Sequence, residues 1–166
     1  MAAMKCFEVI AAAQDTGLSV ALTYDQRLLR RKKLTCATGE VFFVDLPHTQ
    51  SVMAGQGFLL EDGRVVAVVA ADEALLSVSG RTLLHYAWHI GNRHTPCEIA
   101  SDRLIIQRDP VLKAMLAQLG ADVSDIVAPF SPEGGAYGHG RTMGHDHGAP
   151  HDHAHDHAHT HDHSHD

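Results

Sequence analysis

The chain has 166 residues, 15 of them histidine, and a formal charge of −7, a length that suits one ordinary domain or two small ones. Residues 138–166 set Arg141 against Asp146, Asp152, Asp156, Asp162 and Asp166 for a charge of −4, which leaves −3 for residues 1–137. So mild an acidity excludes nucleic acid as a bulk electrostatic partner.

The chain opens on "MAAMKCFEVIAAAQ", whose short apolar run is broken by Glu8. It is too weak for a secretory signal and too short to span a bilayer, and no other stretch approaches membrane length. Cys6, Cys36 and Cys97 are odd in number and widely spaced, which suits a reducing compartment and no disulfide framework. These features predict a cytoplasmic protein without a membrane partner.

Residues 1–71 read as a β-rich domain. "VALTY", "EVFFVDL", "GFLLE" and "RVVAVVAA" are short β-prone runs, punctuated by glycines and by the hairpin signal "EDGR" at Glu61–Arg64. The basic cluster from Arg27 to Lys33 reads either as a solvated strand edge, where like charges discourage edge pairing, or as a docking patch for an acidic partner. His48, after Pro47, reads as a surface histidine in a loop.

Residues 72–137 form a second unit. "EALLSVS" is a strand. "RTLLHYAWHIGNR" has helical period, with Leu84, Ala87 and Trp88 on one face and Arg81, His85 and His89 on another; Gly91-Asn92 is its stop. "CEIAS" and "RLIIQ" are two short strands about Ser101-Asp102. Asp109 caps a second helix with Pro110 at its first position, Leu112, Met115, Leu116 and Leu119 form its buried stripe, and Gly120 ends it. "SDIVAPF" is the last strand. The order βαββαβ predicts a ferredoxin-like unit with two helices over one sheet face. The fold class is therefore α+β: a small N-terminal β-domain, a ferredoxin-like domain, and a His-rich tail over 138–166 with almost no large apolar residues, expected to be disordered without metal.

Enzyme motifs are missing. There is no G-x-x-x-x-G-K-[ST] loop. His85 and His89 have H-x-x-x-H spacing but lack the glutamate a zinc protease uses as base. No local motif offers a Ser-His-Asp or Cys-His pair. The tail carries the strongest chemical signal: His139, His145, His147, His151, His153, His155, His157, His159, His161, His163 and His165. Imidazole suits Ni2+, Zn2+ and Cu2+, and the scarcity of sulfur there argues against a soft Cu(I) site. Asp, Ala, Thr and Ser space these histidines, unlike the unbroken run of an engineered tag. At about four to six ligands per ion, some from water, the tail would hold on the order of two or three ions. A flexible chelator must be ordered when it binds, which suits capture and release.

The second signal is "HIGNRH", from His89 to His94. A histidine just beyond a helix stop is exposed; local evidence leaves His94 open between a plain surface residue and a ligand. "WHIGNRHTP", a helix beginning "DPVL", "PFSPEGGAYGHG" and a His-rich end together resemble the UreE urease accessory protein family, and "TYDQRLLRRKK…VFFVDLP" is similar to that family's N-terminal domain. The resemblance spans nearly the whole chain. It implies a homodimeric nickel metallochaperone, not an enzyme, that works with UreG, UreF and UreD/UreH to load apo-urease. It also implies that His94 of both subunits shares one ion at the dimer interface, with His139 as a candidate to complete the coordination. Some relatives carry a histidine pair at the start of the second helix; here Arg108 and Pro110 stand there, so that site is absent. His89 reads as a helix-face residue, and Cys97 as a strand-core cysteine although a thiolate ligand is conceivable. The runner-up function is a zinc or copper buffer. A metal-dependent hydrolase or a general folding chaperone stands further back.

Overall fold

The computed structural model describes residues 4–13 and 17–134. Among these residues ten strands form two sheets, with two α-helices beside them. The first sheet takes β1 (Met4–Ile10), β2 (Ser19–Leu22), β3 (Leu28–Thr35), β4 (Val41–Ser51), β5 (Gly57–Leu60) and β6 (Val65–Ala70), in the order β2-β6-β5-β1-β4-β3. Alternate residues turn inward, as in Phe42, Val44 and Leu46 or Val66 and Val68, and meet Cys6 and Phe58 in one core. The "EDGR" turn forms as expected. Gly63, at φ 87°, donates to Leu60 O at 2.9 Å and lets β5 return as β6, a conformation that favours glycine.

The basic cluster divides. Arg30, Arg31, Lys32 and Lys33 lie exposed on β3, the sheet's edge strand, as the solvated-edge reading requires. Arg27 precedes them in a short 3-10 turn (Asp25–Arg27) and is only 3% exposed. Its guanidinium donates to Leu22 O at 3.1 Å and to Phe130 O at 2.6 Å, and lies 5.7 Å from the centre of the Tyr24 ring. His48 is in β4 and not in a loop. The β3–β4 register shifts between Leu29 and Arg31, and Pro47 falls at the resulting bulge, where its missing N–H costs no ladder bond.

The second sheet takes β7 (Asp72–Ser79), β8 (Cys97–Ile99), β9 (Leu104–Gln107) and β10 (Asp122–Pro129), in the antiparallel order β10-β7-β9-β8. Helices α1 (Leu83–Asn92) and α2 (Pro110–Gln118) complete the βαββαβ pattern. Leu76, Val78, Leu104 and Ile106 meet Tyr86 and Ile90 of α1 and Leu112 and Leu116 of α2 in the second core. The Asp109 side chain accepts from Val111 N and Leu112 N, so the expected cap is present. Gly120, at φ 87°, ends α2, and Ala121 N closes back onto Leu116 O at 3.0 Å.

The two sheets meet around the 3-10 turn. Tyr24 N donates to the Glu73 carboxylate at 2.8 Å, and the Tyr24 ring meets Phe130 edge-on at 5.5 Å. No helix among the described residues is long and apolar enough to cross a membrane.

Candidate metal centre

Helix α1 positions the leading candidate. Leu83, Tyr86, Ala87 and Ile90 turn toward the sheet, at the spacing of one helical face. Leu84 and Trp88 therefore point outward, 89% and 61% exposed. Gly91 and Asn92, expected to stop the helix, lie inside it instead. The chain leaves the helical path later. Arg93 caps α1, and His94 takes a positive φ of 53°, the one such value outside glycine among the described residues. His94 N donates to Gly91 O at 2.9 Å, and Arg93 N to Ile90 O at 3.1 Å.

Glycine usually holds this left-handed position one residue past a helix cap. An L-residue there gives up about 1 kcal/mol to Cβ crowding. Here that conformation places an exposed imidazole at the helix end. A left-handed backbone at an exposed, non-glycine residue is an observation that points to function.

After His94 the chain enters β8 within three residues, at Cys97. Cys97 packs against the second core, and burial pushes its thiol up to about 11, with the Glu133 and Glu98 carboxylates adding to the rise. It is a protonated core thiol at neutral pH, in keeping with the strand-core reading. The segment after β10 returns to the same place. Ser131 N donates to the Glu98 carboxylate at 2.9 Å, and Glu133 N to Cys97 O at 2.8 Å. Glu133, five residues before the His-rich tail begins, is thus pinned to β8 three residues from His94.

Arg108 is tied to the fold by donation to Ile126 O at 2.9 Å. His85 and His89 share a face of α1 with ring centroids 4.6 Å apart. Among the described residues, no three His, Cys, Asp or Glu side chains converge on a point that would hold a metal ion. His139, His145, His147, His151, His153, His155, His157, His159, His161, His163 and His165 lie outside the described residues. Two features escaped the sequence reading. The left-handed backbone at His94 is hidden because "GN" just before it offers a more conventional stop, and the pinning of Glu133 to Cys97 joins distant segments.

With the site in view, comparison with known proteins places the chain. The family pattern for the UreE urease accessory protein, C-terminal domain, matches residues 65–165, and that for its N-terminal domain matches residues 7–71. The chain belongs to the UreE urease accessory protein family. Urease accessory protein UreE of Ruegeria pomeroyi is 58% identical over 126 residues, covering 76% of this chain and 85% of that protein. Urease accessory protein UreE of Paracoccus denitrificans is 60% identical over 123 residues, covering 74% and 79%. That of a Chelativorans species is 48% identical over 136 residues, covering 76% and 86%. A UreE chain is an accessory protein in urease maturation and not itself a catalyst.

Proposed function

We propose that this chain carries nickel as cargo and surrenders it for assembly of the urease metal centre, with His94 as the transfer ligand. One observation carries the reading: an exposed imidazole is held at a strained helix end, and the tail's root is fastened beside it through Glu133 N and Cys97 O at 2.8 Å. His94 lies within about 11 Å of Cys97 along an extended chain, and His139 stands six residues beyond Glu133, a span of up to about 20 Å. His139 therefore has the reach to join His94 on one ion. The histidines from His145 to His165 gather further ions, and tethering keeps that pool at an effective concentration on the order of millimolar.

A single imidazole makes a poor site alone. A homodimer about a two-fold axis supplies a second His94, because such a contact doubles whatever one chain offers. Leu84 and Trp88, outward on the helix that ends at His94, suit the surface of that contact. Two imidazoles completed by water or the tail hold nickel without the closed cage of a structural site, so release stays fast. The same donors also bind Zn2+ and Cu2+, and copper(II) more tightly, so selectivity comes from supply and from the partners.

In this reading residues 1–71 are the partner-binding unit, 72–137 the metal-binding and dimerisation unit, and 138–166 the reservoir. UreG, UreF, UreD/UreH and apo-urease are the proposed partners in the cytoplasm. The exposed cations Lys32 and Lys33 on β3, beside Phe43, suit contact with an acidic partner surface. Truncation after Tyr137 should leave a folded dimer that binds about one nickel ion with reduced total capacity. His94→Ala should spare the fold and abolish delivery. Full urease activation by His94→Ala at limiting nickel would overturn the assignment.

A further inference from the structure

Apart from His94, the described residues bring one pair of imidazoles together. His85 and His89 stand four residues apart on α1, their ring centroids are 4.6 Å apart and their planes cross at 82°. We propose that His85 and His89 form a two-imidazole site on α1 that holds a divalent transition-metal ion, a staging position distinct from His94. Only the choice of nickel as that ion rests on the carrier role proposed above.

The chemistry of the pair fits. Bonds of about 2.0–2.1 Å from each nitrogen to one ion put two adjacent donors about 3 Å apart. Rings already in edge-to-face contact reach that arrangement by side-chain rotation alone. Histidines four apart on a helix are the pair that grips zinc in H-E-x-x-H proteins. Here Tyr86 follows the first histidine in place of glutamate, and it is buried in the core. The site therefore holds an ion without a neighbouring base to activate its water. His85 is exposed and His89 half-buried, so water completes the coordination. Two imidazoles without thiolate or carboxylate select Ni2+, Zn2+ and Cu2+ over Mg2+ and Ca2+.

Electrostatics keep the grip loose. His89 sits in the last turn of α1, where the helix dipole favours a cation. Arg81 and Arg93, four residues before His85 and four after His89, oppose a dication. An ion held by two donors against two guanidiniums exchanges readily, and the helix that carries it ends two residues before His94.

The chain contains its own reporter. Trp88 is its single tryptophan, and its ring centroid lies 5.1 Å from that of His89. A paramagnetic ion bound there quenches its fluorescence. NiCl2 is titrated into the full-length chain with the eleven tail histidines changed to glutamine, alone and combined with His94→Ala, His85→Gln or His89→Gln. Glutamine is a good helix former, so the helix survives each change, as far-UV circular dichroism will verify. Quenching should persist with His94→Ala. Its midpoint should rise at least about tenfold with either His85→Gln or His89→Gln, since even outer-sphere partners of a metal are worth that much. Quenching that disappears with His94→Ala and ignores His85→Gln would place the ion at the transfer site and overturn the pair. Loss with His89→Gln but not His85→Gln would also overturn it, leaving a lone histidine. Failure of the carrier reading shows elsewhere, as urease activation that survives His94→Ala, and leaves the quenching result standing on its own.

Discussion

The two sheets treat their outward apolar residues differently. In the N-terminal sheet Phe43 faces out among cations, opposite both Lys5 and Lys33 in the ladders. In the C-terminal unit Leu84 and Trp88 stand one turn apart on the open face of α1, the helix that ends two residues before His94. The first arrangement offers a partner charge as well as apolar surface. The second offers an apolar helix face beside a candidate ligand, which is what a self-complementary contact with a shared ion needs. In the proposed reading, association with other proteins and association with a second copy belong to different halves of one chain.

Mutations can break or sharpen that contrast. The largest expected effect is in the first core: Phe58→Ala should cost about 3–5 kcal/mol in chemical denaturation, because Phe58 is fully buried against Phe42. If the halves divide the work as proposed, the nickel bound by the surviving folded protein is unchanged. Next comes Arg27→Ala. It strands the Phe130 carbonyl, while Leu22 O keeps the N–H of Ala71, and should cost about 1–3 kcal/mol. Calorimetry should then show one melting transition resolving into two as the sheets uncouple; a single unbroken transition would mean that the Tyr24 contacts with Glu73 and Phe130 couple the halves without Arg27.

His94→Gly should act in the opposite direction. Glycine relieves the left-handed backbone at φ 53°, so stability should rise by about 1 kcal/mol while nickel binding at the dimer contact is lost. A loss of stability would show that the His94 side chain is held by packing and not displayed. Leu84→Glu should change the stability of the isolated chain by no more than about 0.5 kcal/mol, since the residue is 89% exposed. In analytical ultracentrifugation, however, it should convert dimer to monomer. The smallest effect is chemical. With its thiol raised to about 11, Cys97 should resist alkylation near neutral pH and react faster as pH climbs toward that value, because only the thiolate attacks. Rapid labelling at neutral pH would mean that β8 opens.

Much of the fold was legible residue by residue. The hairpin at Glu61–Arg64, the Asp109 cap, the α2 stripe and the βαββαβ order follow from local chemistry, since each depends on residues within a few positions of one another. Other features were not legible because the decisive partner is remote. Arg27 looked like one cation of a solvated run until Phe130 O, 103 residues away, took its guanidinium. His48 looked like a loop residue because Pro47 reads as a strand breaker, and only the β3–β4 register shift makes room for it.

The sequence alone determined the donor chemistry: imidazoles spaced for capture, "GNRH" after a helix, and no motif for catalysis. Tertiary structure decided where that chemistry is displayed. A positive φ at His94 holds one ring out past the end of α1, and a backbone bond between Glu133 and Cys97 fastens the segment after β10 to the strand that follows that helix. Ligand type is a property of single residues and survives in the bare string. Convergence is a property of pairs distant along the chain, and only folding brings them together.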